Sequence, residues 1–202
     1  VQRVVVSHVI TTLGNNAFDC CEKLETIDLP QSLADIGGGA FSGCIALSSI
    51  ALPDDIASIG HGAFSGCIKL GSISLPRSLT IISNSVFDCC RSLTKIDIPD
   101  NVSNIGAYAF SGCSQLAELR ISSNLKRIEM GAFFGCNALK KIIFTGTRDQ
   151  WNAVSIESYN SPILSATVHC ENTAVASGKC GENLSWQLTE ANVLTISGNG
   201  EM

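Results

Sequence analysis

The sequence has few of the residues on which catalysis, nucleic-acid binding or membrane insertion depends. Its 202 residues include three histidines, two tyrosines, two tryptophans and five prolines, and only 15% are charged. The formal net charge is −5, whereas a nucleic-acid-binding surface needs a basic stripe. No apolar run reaches the roughly 18 residues that a transmembrane helix requires. We therefore expect no nucleic-acid partner and no membrane insertion.

The common catalytic motifs are absent as well. The chain contains no G-x-S-x-G, H-E-x-x-H or P-loop sequence. His8, His61 and His169 have no Cys, Asp or Glu at a ligand or catalytic spacing. Because no nucleophile, base and orienting group form a plausible set, we predict a non-enzymatic protein that needs no cofactor and holds no metal.

A repeat of constant length dominates what is present. Phenylalanines recur at a step of 23 residues, and a cysteine three places later keeps the same step. The phenylalanines are Phe18, Phe41, Phe64, Phe87, Phe110 and Phe133, and the cysteines are Cys21, Cys44, Cys67, Cys90, Cys113 and Cys136. A fixed period in this range is the signature of a solenoid, in which each repeat contacts only its neighbours.

One repeat unit reads L-x-x-I-x-L-P-x-x-L-x-x-I-G-x-x-A-F-x-x-C-x-x. Ile27 and Leu29 alternate with Thr26 and Asp28, which predicts a short strand with the apolar residues inward. Pro30 ends the strand because it has no N–H to donate. The glycine after Ile36 suits a tight turn, and the Ala-Phe-x-x-Cys segment predicts a turn or a single helical turn on the opposite, convex side. Stacked units would pair their strands in parallel and bury continuous stacks of Leu, Ile, Phe and Cys.

The ten cysteines raise the question of disulfides and metal sites. The six periodic cysteines have no C-x-x-C pairs, and we interpret them as small buried hydrophobes with free thiols. Cys20 and Cys89 stand where other units carry glycine and lie too far apart to bridge each other. Cys170 and Cys180 lie outside the repeat, and either a disulfide between them or two free thiols fits the sequence.

The outward strand positions of the later units carry charges of both signs. We predict a binding site there, on the concave face, formed by Lys95, Asp97, Glu118, Arg120 and Lys141. The alternative interpretation is an ordinary solvated face. Charges at such a site would steer association more than they would set affinity.

The chain divides into three parts. Residues 1–144 hold about seven repeats, 145–169 form a C-terminal cap, and 170–202 form a linker with a partial hairpin module. In the cap, Thr147 and Gln150 have capping-box spacing that predicts a short helix, Trp151 is placed to cover the open end, and 163–169 adds a last strand. Residues 171–177 read as a linker, and 184–188 with 193–197 alternate as a hairpin. We interpret the chain as a fragment of a longer protein.

The unit I-x-L/I-P-x-x-V/L-x-x-I-G-x-x-A-F-x-x-C-x-x-L resembles the BspA-type leucine-rich repeat family of bacterial surface proteins over residues 1–144. The segment from Phe144 to Ala153 looks like the usual end of such arrays, and Cys180–Trp186 with Leu194–Gly198 is similar to a short β module found beside them. The resemblance implies a leucine-rich-repeat solenoid: a curved right-handed coil with a parallel β-sheet on the concave face and short turns on the convex face. It further implies a secreted or cell-surface bacterial protein and a role in adhesion.

Three functional hypotheses follow. The first is a binding module that presents its concave sheet to a host extracellular protein or glycan. The second is a passive spacer or scaffold, and the third is the targeting domain of a larger surface protein or secreted enzyme. Open solenoid ends expose unpaired strand edges, so end-to-end self-association is a further possibility.

Overall fold

The computed structural model describes residues 1–172, 174–179, 184–189 and 193–198. In the described part, short parallel strands wind into a solenoid that two short helices complete, which confirms the predicted leucine-rich-repeat fold. The solenoid elements are β1 (Arg3–Val5), β2 (Thr12–Leu13), β3 (Thr26–Asp28), β4 (Asp35–Ile36), β5 (Ser49–Ile50), β6 (Ser58–Ile59), β7 (Ser72–Ile73), β8 (Ile81–Ile82), β9 (Lys95–Asp97), β10 (Asn104–Ile105), β11 (Glu118–Ile121), β12 (Arg127–Ile128), β13 (Lys141–Phe144), α1 (Arg148–Asn152), β14 (Ser155–Ile156), α2 (Ser161–Ser165) and β15 (Thr167–Cys170).

The odd-numbered strands form one parallel ladder, here called the long-strand ladder. Its hydrogen-bonded segments are β1–β3, β5–β7 and β9–β11–β13–β15. The register advances by one repeat from strand to strand, so that Ile96 lies beside Leu119 and Leu119 beside Ile142. These three side chains are buried, and the residues on either side of them face outward, as the alternation predicts.

The even-numbered strands form a second parallel ladder, the short-strand ladder, where the sequence predicted only a turn. Its segments are β2–β4–β6 and β8–β10–β12–β14. Each strand from β2 to β12 contributes one buried aliphatic residue, such as Ile36 or Ile105, and β14 contributes the partly buried Ile156. The glycine that follows Ile36 is not there for a left-handed turn: a Cβ on Gly37 would lie 2.6 Å from the backbone nitrogen of Asn15. Glycine allows the backbones of neighbouring repeats to approach at this corner.

Turns on the remaining side carry the phenylalanine and cysteine stacks. The six repeat phenylalanines stack face to face, with ring centroids 5.1–5.6 Å apart and ring planes within 16° of parallel. All but Phe18, at the first repeat, are fully buried. Backbone hydrogen bonds also join the turns, as in the bond from Phe87 N–H to the Ala109 carbonyl at 2.8 Å. The core is therefore a continuous column rather than a globular centre.

The cap begins as the sequence predicts. Thr147 and Gln150 form the capping box of α1, in which each side chain accepts from the other residue's backbone N–H. Trp151 in α1 is buried and meets the Phe144 ring edge-on, with centroids 5.3 Å apart. The strand predicted for residues 163–169 forms only in its second half, because α2 extends to Ser165 and β15 begins at Thr167. Although the repeat pattern ends at Phe144, both ladders continue through β14 and β15.

Three antiparallel strands follow the solenoid: β16 (Ala174–Lys179), β17 (Leu184–Thr189) and β18 (Leu194–Gly198), in that order in the sheet. The pairing of β17 with β18 confirms the predicted hairpin. The predicted linker is wrong for residues 174–177, which belong to β16 and pair with β17. Cys180, one half of the possible disulfide, lies outside the described residues.

Candidate functional site

The five predicted site residues lie together on the outward surface of the long-strand ladder. The in-register pairing sets Lys95, Glu118 and Lys141 in one row. Asp97 and Arg120 are neighbours in a second row, two residues further along each strand. Because the repeat length is constant, each outward position forms a straight row across the rungs. The rows alternate in charge, and we call these five residues the charged strip.

Ion pairs link the charges within the strip. The Nζ of Lys141 lies 2.9 Å from an Oε of Glu118, and the Nζ of Lys95 lies 3.6 Å from the other. Lys95 is also 3.6 Å from the Asp97 carboxylate. The hydrogen bond from Lys141 is the main cause that lowers the pKa of Glu118. The side chains of Lys95 and Asp97 are more than half exposed, so these pairs contribute little to stability and exchange readily.

Arg120 differs from the other members because its guanidinium is already clamped. Nη1 and Nη2 donate to the two carboxylate oxygens of Glu171 at 2.7 and 3.0 Å, a bidentate pair. This pair raises the pKa of Arg120 and lowers the pKa of Glu171. Glu171 directly follows β15, so the clamp reaches across β13 to the end of the solenoid. A planar bidentate pair is harder to displace than a single contact, which makes Arg120 the least available cation of the strip.

An open depression of about 700 Å³ adjoins the strip at the middle repeats. Three strip residues line it: Lys95, Asp97 and Arg120. Residues that the sequence analysis did not single out complete the lining, namely Ser72, Ser74, Arg77, Asp100 and Asn101 together with the apolar Ile73, Leu75, Ile98 and Pro99. Glu118 and Lys141 do not line it.

Arg77 is the notable residue that sequence reasoning missed. It is exposed and takes part in none of the six ion pairs formed among the described residues. It follows Pro76, outside the strand positions from which the strip was predicted, so strand alternation could not reveal it. With Lys95 it gives the depression two accessible cations, beside small hydroxyl side chains and an apolar floor. Such a surface is suited to binding an acidic or mixed-charge group.

Five of the six periodic cysteines, all but Cys21 of the first repeat, are buried and unsuited to redox or metal chemistry. From the second repeat onward, each thiol donates to the carbonyl of the phenylalanine of the preceding repeat, as Cys67 does to Phe41 at 3.2 Å. Burial raises the pKa of Cys67 to about 12, far from the thiolate that metals and oxidants require. Within the described residues, no group of three His, Cys, Asp or Glu side chains could hold a metal ion. No helix in that part of the chain is long and apolar enough to cross a membrane.

The repeat matches a known family. The model of the BspA type leucine-rich repeat region matches residues 1–60 and 35–160, with six copies. The chain belongs to the BspA-type leucine-rich repeat family. The matched residues include β1 to β14 and the phenylalanine and cysteine stacks.

Solved structures of bacterial leucine-rich repeat proteins share this fold. A leucine-rich repeat protein of T. pallidum is 36% identical, with a TM-score of 0.66 over 72% of this chain and 73% of that one. A leucine rich cell surface protein of Faecalibacterium prausnitzii is 27% identical, with a TM-score of 0.52 over 78% of this chain and 63% of that one. The pneumococcal vaccine antigen PcpA has a similar fold, with 19% identity and a TM-score of 0.51 over 85% of this chain and 56% of that one. A comparison with curated proteins gave no match.

Proposed function

We propose that this chain is a non-catalytic binding module of a bacterial surface or secreted protein, which holds an extracellular host protein or glycan on its long-strand ladder. The observation that carries the proposal is the depression beside the charged strip, where Arg77 and Lys95 present cations that are not clamped. The surface location is supported by the F. prausnitzii relative, which is described as a cell surface protein.

The arrangement of charges favours a partner with acidic or mixed-charge groups. The exposed pairs of Lys95 are weak, so an acidic group could replace Asp97 or Glu118 at small cost. The apolar floor would add desolvated contact once such a group is seated. Arg120 would keep its partner Glu171 and shape the edge of the site rather than donate to the ligand.

The alternative is a passive scaffold, which the third and fourth rungs favour. Their outward strand positions carry the small residues Ser49, Ala51, Ser72 and Ser74, which offer few specific contacts. A scaffold would have no ligand that depends on the depression. The targeting-domain hypothesis shares this outcome, since it places the function in other parts of a longer protein.

The test is a binding screen of the whole chain at physiological salt. The immobilised protein would meet host matrix proteins, mucins and glycans, beside a variant with Arg77→Ala and Lys95→Ala. The matched control carries Lys23→Ala and Lys69→Ala, which remove the same net charge from residues outside the depression. Light scattering of the same samples would report any end-to-end association.

A ligand that binds the parent and the control but not the Arg77→Ala, Lys95→Ala variant would support the proposal. An equal loss of binding in the test variant and the control would mean that the ligand responds to the net charge of the protein and not to the depression. If the folded parent binds nothing in the panel, the scaffold becomes the better reading of this chain.

A further inference from the structure

One row of the turn side has a left-handed backbone at every repeat. The φ angles lie between 53° and 63° at Asn16, Gly39, Gly62, Ser85, Tyr108, Gly131 and Tyr159. These positions are equivalent because their backbone N–H groups make the same bond, to the carbonyl of the residue just before the next member of the row. Tyr108 N–H donates to the Met130 carbonyl at 3.1 Å, just before Gly131, and Gly131 N–H donates to the Ser158 carbonyl at 2.9 Å, just before Tyr159. The fold therefore requires a left-handed residue here in each rung.

Tyrosine is a poor choice for that backbone, yet the row holds both tyrosines of the sequence. Glycine adopts a left-handed conformation without strain, whereas a bulky side chain there is a genuine outlier. Both rings remain accessible to a ligand, since Tyr108 is 38% exposed and Tyr159 is 64% exposed. Strained backbone positions cluster at functional sites.

A third exposed aromatic residue lies in the rung between the two tyrosines, where the Phe134 N–H donates to the Gly131 carbonyl at 2.9 Å. Phe134 is 54% exposed and occupies a position that carries Ser42, Ser65 or Ser111 in other repeats. The Tyr108 ring lies over Gly131, where an added Cβ would come within 2.6 Å of the ring carbon Cε1. We call Tyr108, Phe134 and Tyr159 the aromatic ridge.

Two acidic residues in the turns beside the ridge already have hydrogen-bond partners. The Glu129 carboxylate accepts the Ala107 N–H at 3.0 Å, and the Glu157 carboxylate accepts the Met130 N–H at 2.8 Å. Glu157 also pairs with Arg127. Both acids therefore serve the backbone of the turns. A ligand of the ridge would meet ring faces, tyrosine hydroxyl groups and the exposed Met130 side chain, and nothing in these contacts calls for a charge on the ligand.

We propose that the aromatic ridge binds a neutral polysaccharide by stacking its sugar rings on the tyrosine and phenylalanine faces. A sugar ring has an apolar face of C–H groups edged by hydroxyls, which matches an aromatic face beside tyrosine hydroxyls. The two tyrosines are anchored two rungs apart, roughly 10 Å by strand spacing. That is about the repeat of two rings in an extended β-linked chain, in which alternate rings present the same face.

A protein partner fits the ridge less well. A stable protein interface buries a broad contiguous area, on the order of 800 Å² on each side. Together with the exposed Met130, the ridge comprises only four partly exposed apolar side chains, too few to supply such an area. The inference concerns the turn side and does not depend on the charged strip.

The test is native affinity electrophoresis of the whole chain in gels that contain β-glucan, xylan, mannan or, as an anionic control, heparin. The test variant carries Tyr108→Gly and Tyr159→Gly. Because glycine suits the left-handed backbone, this variant should fold with an unchanged or higher melting temperature. Ser85→Gly, in the same row two rungs from Gly131, is the matched control.

We expect at least one neutral polysaccharide to retard the parent and the Ser85→Gly control, with binding at least tenfold weaker in the double tyrosine variant. The Arg77→Ala, Lys95→Ala variant should be retarded like the parent. Retardation by heparin alone, by no polysaccharide, or equally in the tyrosine variant would overturn the proposal. The proposal would also be overturned if no polysaccharide binds while a protein of the host panel binds the parent and not the double tyrosine variant.

Discussion

The thiol of Cys113 donates a hydrogen bond of 3.2 Å to the carbonyl oxygen of Phe87, one repeat earlier in the stack. The same carbonyl accepts the backbone N–H of Cys90 at 3.2 Å. From the second repeat onward, each repeat thus uses a cysteine to join its turn to the phenylalanine of the repeat before it. A small apolar side chain with a weak donor suits this position, which explains the cysteine period without any redox chemistry.

The buried thiols predict a loss of stability in alkaline solution. Burial raises the pKa of Cys44 to about 11 and that of Cys136 to about 12. In the unfolded chain these thiols would ionise near their ordinary pKa, so the unfolded state loses protons that the folded state keeps. Stability is therefore fully present below about pH 9 and falls as the pH rises towards the folded pKa values, by up to about 1.4 kcal/mol per pH unit for each thiol.

Urea denaturation between pH 8 and pH 11 would measure this fall. A Cys113→Ala variant should show a shallower decline, because one ionising thiol is absent. A decline with the same slope in parent and variant would mean that other groups cause it.

The phenylalanine stack predicts a large effect from a single buried ring. Phe87 is fully buried between Phe64 and Phe110, with centroids 5.6 and 5.3 Å away. Phe87→Ala would remove both contacts and leave a cavity, and we expect it to lower the free energy of unfolding by about 3–5 kcal/mol. Phe134→Ala is the matched control, because that ring is exposed, and it should change stability by less than about 1 kcal/mol. Thermal melts of the two variants that coincide would contradict the stacked column.

Asn160 ends the turn-to-turn hydrogen bonding of the solenoid. In the repeats before it, the phenylalanine N–H donates to the backbone carbonyl of an alanine or valine in the next rung, but Phe133 N–H donates to the Asn160 Oδ1 at 3.0 Å. The Asn160 Nδ2 donates in turn to the carbonyl of Glu129 at 2.8 Å. Asn160 is almost fully buried. One side chain therefore replaces the backbone of a missing repeat.

Asn160→Ala should destabilise the protein by roughly 1–3 kcal/mol for each buried group left without a partner. Asn160→Asp keeps an acceptor for the Phe133 N–H. Its protonated carboxyl can still donate to the Glu129 carbonyl, but the ionised carboxylate cannot. The loss of stability should therefore increase as the pH rises and the carboxylate ionises. Hydrogen exchange would locate the effect at the Phe133 amide. An unchanged protection of that amide in Asn160→Ala would show that another group ends the stack.

The contrast between Phe133 and Asn160 marks what the sequence could predict. The phenylalanine and cysteine stacks, the long strands and the capping box of Thr147 follow from period and spacing, because identical residues repeat at identical steps. The short-strand ladder was missed because two residues such as Asp35 and Ile36 are too few to show alternation. Asn160, Arg77 and the Arg120–Glu171 pair were missed because each occurs only once, whereas the prediction relied on residues that recur every 23 positions. The constant repeat length predicts that the five residues of the charged strip lie side by side. Their ion pairs depend on side-chain geometry, which the sequence does not give.

The contact between Tyr108 and Gly131 predicts a coupling between neighbouring rungs. Gly131 has φ +61° and lies beneath the Tyr108 ring, so Gly131→Ala would meet both a strained backbone and a steric clash. Gly66→Ala is the matched control: at φ +72° its Cβ would be no closer than 3.5 Å to the Gly43 backbone, so it carries the backbone strain alone. Left-handed strain costs roughly 1–2 kcal/mol, and Gly131→Ala should cost more than Gly66→Ala by the work of displacing the ring.

A double-mutant cycle isolates that work. In a Tyr108→Gly background the ring is gone, and Gly131→Ala should then cost no more than Gly66→Ala does in the parent. The coupling, measured by urea denaturation, should lie in the range of about 0.5–3 kcal/mol that contacting residues show. A coupling of zero would mean that the ring swings into solvent at no cost. Tyr108 would then lack the fixed orientation that a stacking surface needs, and the case for a ligand on the aromatic ridge would lose its geometric basis.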